Sequence, residues 1–301
     1  MIYSVIDIGS NTIRLSVFKV KGEGVINLFS EKEQASLRSY FKDGVLSEKG
    51  INKLIEVLKI FKSVIDNFDE IDKVYPFATA TIRNSSNRNE ILKKVKDEVG
   101  FDIEILSGEE EAKLAFIGAS SSIDVSRGVL TDIGGGSSEV VIIDHSKVIK
   151  STSLDIGSLS AFNDYVKGLL VSKDEKKDID EEVKKELADN NMYKEDHDIL
   201  AAVGGSARAT LKLYNNQYDL SPSNYEMEAS KLNDLIKDTL AMEDRNTLDL
   251  ILKVKPDRIH TLVPGMIILN RIAKYFSCKI INVSQTGVRE GYIYNKALKV
   301  K

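Results

Sequence analysis

Cysteine occurs once in the 301 residues, at Cys278, which excludes an intramolecular disulfide and any cysteine metal cluster. Such usage suits a reducing cytoplasm. The three histidines, His145, His197 and His260, show no metal-ligand spacing, so none is expected to hold a metal. With four prolines and no low-complexity tract, there is little room for a disordered linker. No apolar run approaches the roughly 18 residues of a membrane span. The opening Met1-Ile2-Tyr3-Ser4-Val5-Ile6-Asp7 lacks a basic stretch, and its apolar run is too short for a signal peptide. Neither a Walker loop nor a Gly-x-Gly-x-x-Gly fingerprint occurs, so any nucleotide is held some other way. No nucleophile elbow marks a Ser–His–Asp triad. The formal net charge of -4 argues against a general nucleic-acid binder but permits an anionic substrate in a locally positive cleft.

What remains is an ordinary globular composition, 42% hydrophobic and 29% charged, at a length that favours two domains over one core. The chain nearly repeats one stretch. Val5-Ile6-Asp7-Ile8-Gly9-Ser10-Asn11-Thr12 returns about half a chain later as Leu130-Thr131-Asp132-Ile133-Gly134-Gly135-Gly136-Ser137-Ser138-Glu139. Each is an apolar strand, then Asp-Ile-Gly, then small hydroxyl residues, then a second strand. Glycines let backbone N–H groups approach an anion, and Ser10, Asn11, Thr12, Ser137 and Ser138 add side-chain groups for phosphate oxygens. Asp7, Asp132 and Glu139 suit Mg²⁺, which prefers carboxylates and retained waters. Strand and helix signals alternate in both halves, so two α/β domains of mixed sheet are expected. The small, polar Ser120–Arg127 stretch marks the boundary. Helices are expected at 157–170, 178–189 and 226–241, among others.

Three further motifs carry chemistry. Val203-Gly204-Gly205-Ser206-Ala207-Arg208 follows a buried strand and opens a helix, whose free N–H groups suit an anion, with Arg208 beside them. In Ala78-Thr79-Ala80-Thr81-Ile82-Arg83-Asn84-Ser85-Ser86-Asn87, Arg83 and Asn87 are candidates for phosphate oxygens. In Ser107-Gly108-Glu109-Glu110-Glu111-Ala112, Ser107 and Glu110 have capping-box spacing. Glu111 is left over, points to another face, and is a candidate general base if that face borders the cleft.

Taken in order, these motifs and Gly287-Val288-Arg289-Glu290-Gly291 resemble the exopolyphosphatase/guanosine pentaphosphate phosphatase (Ppx/GppA) family over nearly the whole chain. The resemblance implies two actin-like (ASKHA, ribonuclease H-like) domains with a cleft between them, residues 1–123 and 124–286. Helix 287–301 is implied to pack back on the first. It implies removal of the terminal phosphate from inorganic polyphosphate, or of the 5′-γ-phosphate from guanosine pentaphosphate, with Mg²⁺. The base falls at Glu111, with Glu110 the other candidate. Ser10, Asn11, Thr12, Arg83, Asn87, Gly135, Gly136, Ser137, Ser138, Gly205, Ser206 and Arg208 are expected to hold phosphate, and Asp7, Asp132 and Glu139 the metal. Partners would be polyphosphate or guanosine penta- and tetraphosphate, with no nucleic-acid polymer and no membrane. A homodimer is common in similar proteins. The length matches the short form without a C-terminal HD-type domain. Two departures stand out: no Arg follows Asp155-Ile156-Gly157-Ser158-Leu159-Ser160, and Gln285-Thr286 precede Arg289 where an acid is usual. The rival readings are an actin-like ATPase or small-molecule kinase, and a non-catalytic alarmone or polyphosphate sensor.

Overall fold

Both halves of the chain open with an antiparallel hairpin closed by a glycine turn, and each half builds its sheet outward from that hairpin. The computed structural model describes residues 1–300; Lys301, the last residue of the expected final helix, lies outside the described residues. In the first half β1 (Ile2–Ile8), β2 (Thr12–Lys21) and β3 (Gly24–Gln34) form a meander. A small hairpin of β4 (Phe41–Lys42) and β5 (Val45–Leu46) follows, then α1 (Glu48–Ile65). Next come β6 (Lys73–Ala78), the one-turn α2 (Ala80–Arg83), α3 (Arg88–Val99), β7 (Glu104–Ile105) and α4 (Gly108–Ala119). The second half repeats the plan with β8 (Gly128–Ile133), β9 (Ser138–Asp144) and β10 (Lys147–Leu154), then α5 (Ser158–Tyr165) and α6 (Lys173–Asp189). It continues with β11 (Ile199–Val203), α7 (Gly204–Gln217), β12 (Glu226–Glu228), α8 (Ala229–Thr239) and α9 (Asp244–Val254). It closes with α10 (Leu262–Tyr275), β13 (Ile280–Val283) and α11 (Val288–Leu298).

The strand orders are β3-β2-β1-β6-β7 and β10-β9-β8-β11-β13-β12. Numbered along the chain within each sheet, the first reads third, second, first, fourth, fifth, and the second third, second, first, fourth, sixth, fifth, so the two share their first four places. In each sheet the first three strands are antiparallel, while β1, β6 and β7, and likewise β8, β11 and β13, run parallel. β12 adds an antiparallel edge to the second sheet. This is the α/β arrangement of two mixed sheets, one in each half, expected from the sequence. Two local differences have simple causes. The segment read as helix 226–241 starts as a strand, because Met227 is buried between exposed Glu226 and Glu228, a period of two. Helix α6 starts at Lys173 rather than 178, since Ser172 and Glu175 close a capping box there.

Side-chain alternation sets the layers. Tyr3 and Val5 of β1 face one way and Ile6 and Ile8 the other. The latter pack on α1 and α3 through Leu54, Leu58, Ile91 and Val95. The former meet Leu114 of α4 and Tyr292 and Ile293 of α11, with Phe77 stacked on Tyr292 at 4.9 Å. The alanine face of α4 (Ala112, Ala115, Ala119) lies on Leu130, Val141 and Val203 of the second sheet. Helices α4 and α11 therefore form the layer between the two sheets, and α6, α7, α8 and α10 cover the outer face of the second. Each fully buried side chain of this size contributes about 1.5–3 kcal/mol. The two central helices touch backbone to backbone: a Cβ on Gly291 would sit 1.9 Å from Leu114 O, and one on Gly118 would sit 2.0 Å from Gly287 O. No helix among the described residues is long and apolar enough to cross a membrane.

Candidate active site

Asp7 follows Tyr3 and Val5 at a spacing of two, and Asp132 follows Leu130, so both acids point from their strand ends toward the α4–α11 layer. The turns after them meet across a cleft of about 830 Å³ of open space. A Cβ on Gly136 would lie 2.5 Å from Ser10 Oγ, and one on Gly135 would lie 3.0 Å from the Asn11 backbone nitrogen. The third glycine turn closes the floor. Gly204 has φ +88°, and a Cβ there would lie 2.2 Å from Asp132 Oδ1, so this position needs glycine on both counts. Of the expected phosphate-binding residues, Ser10, Asn11, Thr12, Gly135, Gly136, Ser137, Gly205, Ser206 and Arg208 line this cleft, as do Asp7, Asp132 and Glu111.

Glu110 and Glu111 part company as helical geometry requires. Glu110 accepts a hydrogen bond from the Ser107 backbone N–H at 2.8 Å while its own N–H donates to Ser107 Oγ, which completes the capping box. Glu111 is buried, and Arg83 Nη1 donates to its Oε2 at 2.9 Å. Burial first, then the nearby Glu139 carboxylate, push the Glu111 carboxyl well above its usual range, against the opposing pull of Arg83.

Three expected phosphate ligands are not brought to the cleft. The Asn87 amide clamps both backbone groups of Leu46, accepting from its N–H at 3.2 Å and donating to its carbonyl at 3.0 Å. Ser138 Oγ donates to the Ile156 carbonyl at 2.6 Å. Arg83 is turned to Glu111, the Leu106 carbonyl and, at 3.4 Å, Ser153 Oγ.

Glu139 is fully buried behind the cleft, directly opposite Asp132 in register. Ser137 and Ser153 hydroxyls donate to its Oε1 at 2.9 and 2.8 Å, while its Oε2 has no partner. Burial first, then the Asp132 charge, raise its carboxyl to about 7, and burial raises Asp132 to about 6. Asp7 is also raised by burial, against the pull of Arg289 and Arg14. No three such acids lie close enough to hold a metal unaided among the described residues. An orphaned buried carboxylate oxygen beside a second buried acid nevertheless fits Mg²⁺, which takes one or two carboxylates and fills its shell with water and phosphate oxygens.

Four arginines surround these acids: Arg14, Arg208, Arg258 and Arg289. Burial pulls Arg208 and Arg258 down to about 10, with Arg14 adding in both cases. Arg208 is braced by the Ser284 carbonyl at 3.2 Å, and Arg258 donates to Ser206 Oγ at 3.4 Å. Sequence reasoning assigned only Arg208. Arg14 was within reach, since a hairpin pairing Ile8 with Ile13 sets Arg14 opposite Asp7. Arg258, on the 3₁₀ turn Pro256–Arg258, carries no local signal.

A profile of the Ppx/GppA phosphatase family matches residues 16–300. The chain is 28% identical over 306 aligned positions to a bifunctional 3-dehydroquinate synthase/phosphatase of Fusobacterium nucleatum, covering 96% of this chain but 45% of that protein. It spans, then, about half of that relative. Among solved structures, the Aquifex aeolicus member of the Ppx/GppA family is 27% identical with a TM-score of 0.80, covering 99% of this chain and 98% of that one. An exopolyphosphatase from Cytophaga hutchinsonii shares the fold at 21% identity, with a TM-score of 0.87 over 100% and 99% of the two chains.

Proposed function

The chain belongs to the Ppx/GppA phosphatase family, and on that premise we propose that it hydrolyses the terminal phosphate of inorganic polyphosphate or the 5′-γ-phosphate of guanosine pentaphosphate. The observation that carries this reading is Glu111, a buried carboxylate with raised basicity that borders the cleft formed by the two glycine turns. In this reading the turn N–H groups with Ser10, Asn11, Thr12 and Ser137 hold the terminal phosphate, and Ser206 supports the third turn. Arg14, Arg208, Arg258 and Arg289 balance its charge. Glu111 takes the proton of the attacking water, and Arg83 fixes the carboxylate that does so. Phosphoryl transfer requires chiefly positioning and charge neutralisation, so this set suffices. Asp132 and Glu139, with Asp7, would hold Mg²⁺ partly through water. When bound, the ion supplies neutralisation at phosphate oxygens. The same reading divides the chain into residues 1–123 with the final helix, and residues 124–286.

The test is phosphate release from polyphosphate, guanosine pentaphosphate and ATP, each with and without Mg²⁺. Magnesium-dependent release from either of the first two supports the proposal. Clear preference for ATP points to an ATPase or kinase, and tight alarmone binding without turnover points to a sensor.

A further inference from the structure

Outside the glycine turns the cleft opens into a basic mouth, a space of about 880 Å³. Six cations line it, namely Arg14, Lys32, Arg208, Lys212, Lys255 and Arg258, together with one acid, Asp257. That acid is not stranded among them. Its carboxylate accepts a hydrogen bond from Lys32 and lies 3.1 Å from Lys255 Nζ. Lys32 belongs to β3 of the first sheet and Asp257 to the turn after α9, so the pair spans the mouth from one half of the molecule to the other. Burial alone would raise the Asp257 carboxyl, but the two lysine hydrogen bonds outweigh it and hold the group at about 2, so it is an anion at neutral pH. The Lys32 and Asp257 side chains are 46% and 34% exposed, and ion pairs this wet are easily exchanged for another anion.

A linked phosphate chain whose terminal group sits at the glycine turns needs cations for its following phosphates. Lys32 and Lys255 are placed to serve, yet both are engaged. We propose that Asp257 is an internal competitor of the substrate: its carboxylate occupies Lys32 and Lys255 until the second and later phosphates of a chain displace it. The inference rests on reading the cleft as a phosphate-chain site. Asp257 thereby weakens the grip on long chains and keeps the empty mouth from trapping unrelated polyanions. It is a specificity residue with no part in the chemical step.

Its sign distinguishes this role from that of a latch. Calorimetric binding of inorganic tripolyphosphate and of a long polyphosphate, in Mg²⁺, is compared for the wild type, Asp257→Asn, Lys32→Gln and the double variant. Asp257→Asn is expected to tighten long-chain binding roughly three- to fivefold, the range of a rim charge. KM falls in step and kcat is unchanged. Lys32→Gln weakens binding by a similar factor. In the double variant the gain from Asp257→Asn shrinks, because the cation it would have released is gone. If both single variants weaken binding, the pair is only a latch and the proposal is overturned. The same holds if Asp257→Asn changes nothing. Because the readout is binding, a wild type that binds the chain but releases no phosphate challenges only the hydrolase reading. A wild type that binds neither probe removes that reading and the proposal together.

Discussion

Arg83 Nη1 donates a 2.9 Å hydrogen bond to Glu111, while Arg83 Nη2 reaches Ser153 Oγ, the hydroxyl that donates to Glu139. The proposed base of the first half is thus linked to a buried acid of the second through one arginine and one serine. Replacing Glu111 by Gln keeps the shape and removes the base. Turnover is expected to fall by about 10²–10⁴ with binding of polyphosphate in Mg²⁺ largely intact. Glu110→Gln is expected to stay near wild type, because a glutamine oxygen can still accept from Ser107 N–H in the capping box. Steady-state rates of the two variants settle the assignment, and a Glu111→Gln enzyme turning over normally would remove Glu111 from the mechanism.

The same arginine tunes the acid limb of the rate profile. Burial and Glu139 raise the Glu111 carboxyl, and Arg83 opposes them through its charge and hydrogen bond. A base works only when deprotonated, so activity is lost as pH falls through this raised value. Arg83→Gln removes the opposing pull, which raises the carboxyl further and moves the acid limb of kcat to higher pH. Measured kcat against pH for both proteins checks this. A limb that stays put or moves down means that Arg83 acts elsewhere, for instance on the phosphate itself.

How much of this was legible in the sequence depends on the range of each interaction. The two hairpins, their glycine turns and the Glu110–Glu111 division follow from periods of two and 3.6 within a few residues. Arg14 opposite Asp7 follows from simple hairpin register. Asn87 and Ser138 look like polar loop groups locally. Their partners, Leu46 and Ile156, lie 41 and 18 residues away, and nothing in the sequence advertises that pairing. Arg258 and Lys32 reach the cleft from separate halves, so their role exists only once the sheets are stacked.

Asp132 and Glu139 set a pH dependence of stability. Both are raised in the folded protein, to about 6 and about 7, by burial and by neighbouring carboxylates. The folded state therefore holds their protons more tightly than the unfolded chain. Stability falls as pH rises from the ordinary carboxylate range through these values, and is lowest once both are ionised. The metal-free protein should melt at lower temperature near pH 8 than near pH 6, with Glu139→Gln flattening that slope. Mg²⁺ favours the ionised acids, so the rise in Tm it produces should be larger at the higher pH. A melting temperature that climbs over this interval equally in wild type and Glu139→Gln would contradict the burial of a carboxylate with one unsatisfied oxygen at this position.

The last relationship joins the site to the packing of the two central helices. Helix α4 carries Glu111 near its start and α11 carries Arg289 near its own, and both line the same cleft. Their spacing is set by Gly291 against Leu114 and by Gly118 against Gly287. Gly291→Ala gains about 1 kcal/mol of helix propensity but drives a methyl to within 1.9 Å of a backbone carbonyl, so the helices must separate. Overpacking of this kind typically costs about 1–3 kcal/mol and here involves backbone that cannot rotate aside. A net loss in urea unfolding is expected, together with reduced kcat as Glu111 and Arg289 shift relative to one another. If the variant unfolds at the wild-type midpoint and turns over at the wild-type rate, the crossing has slack, and Glu111 must be held by Arg83 alone.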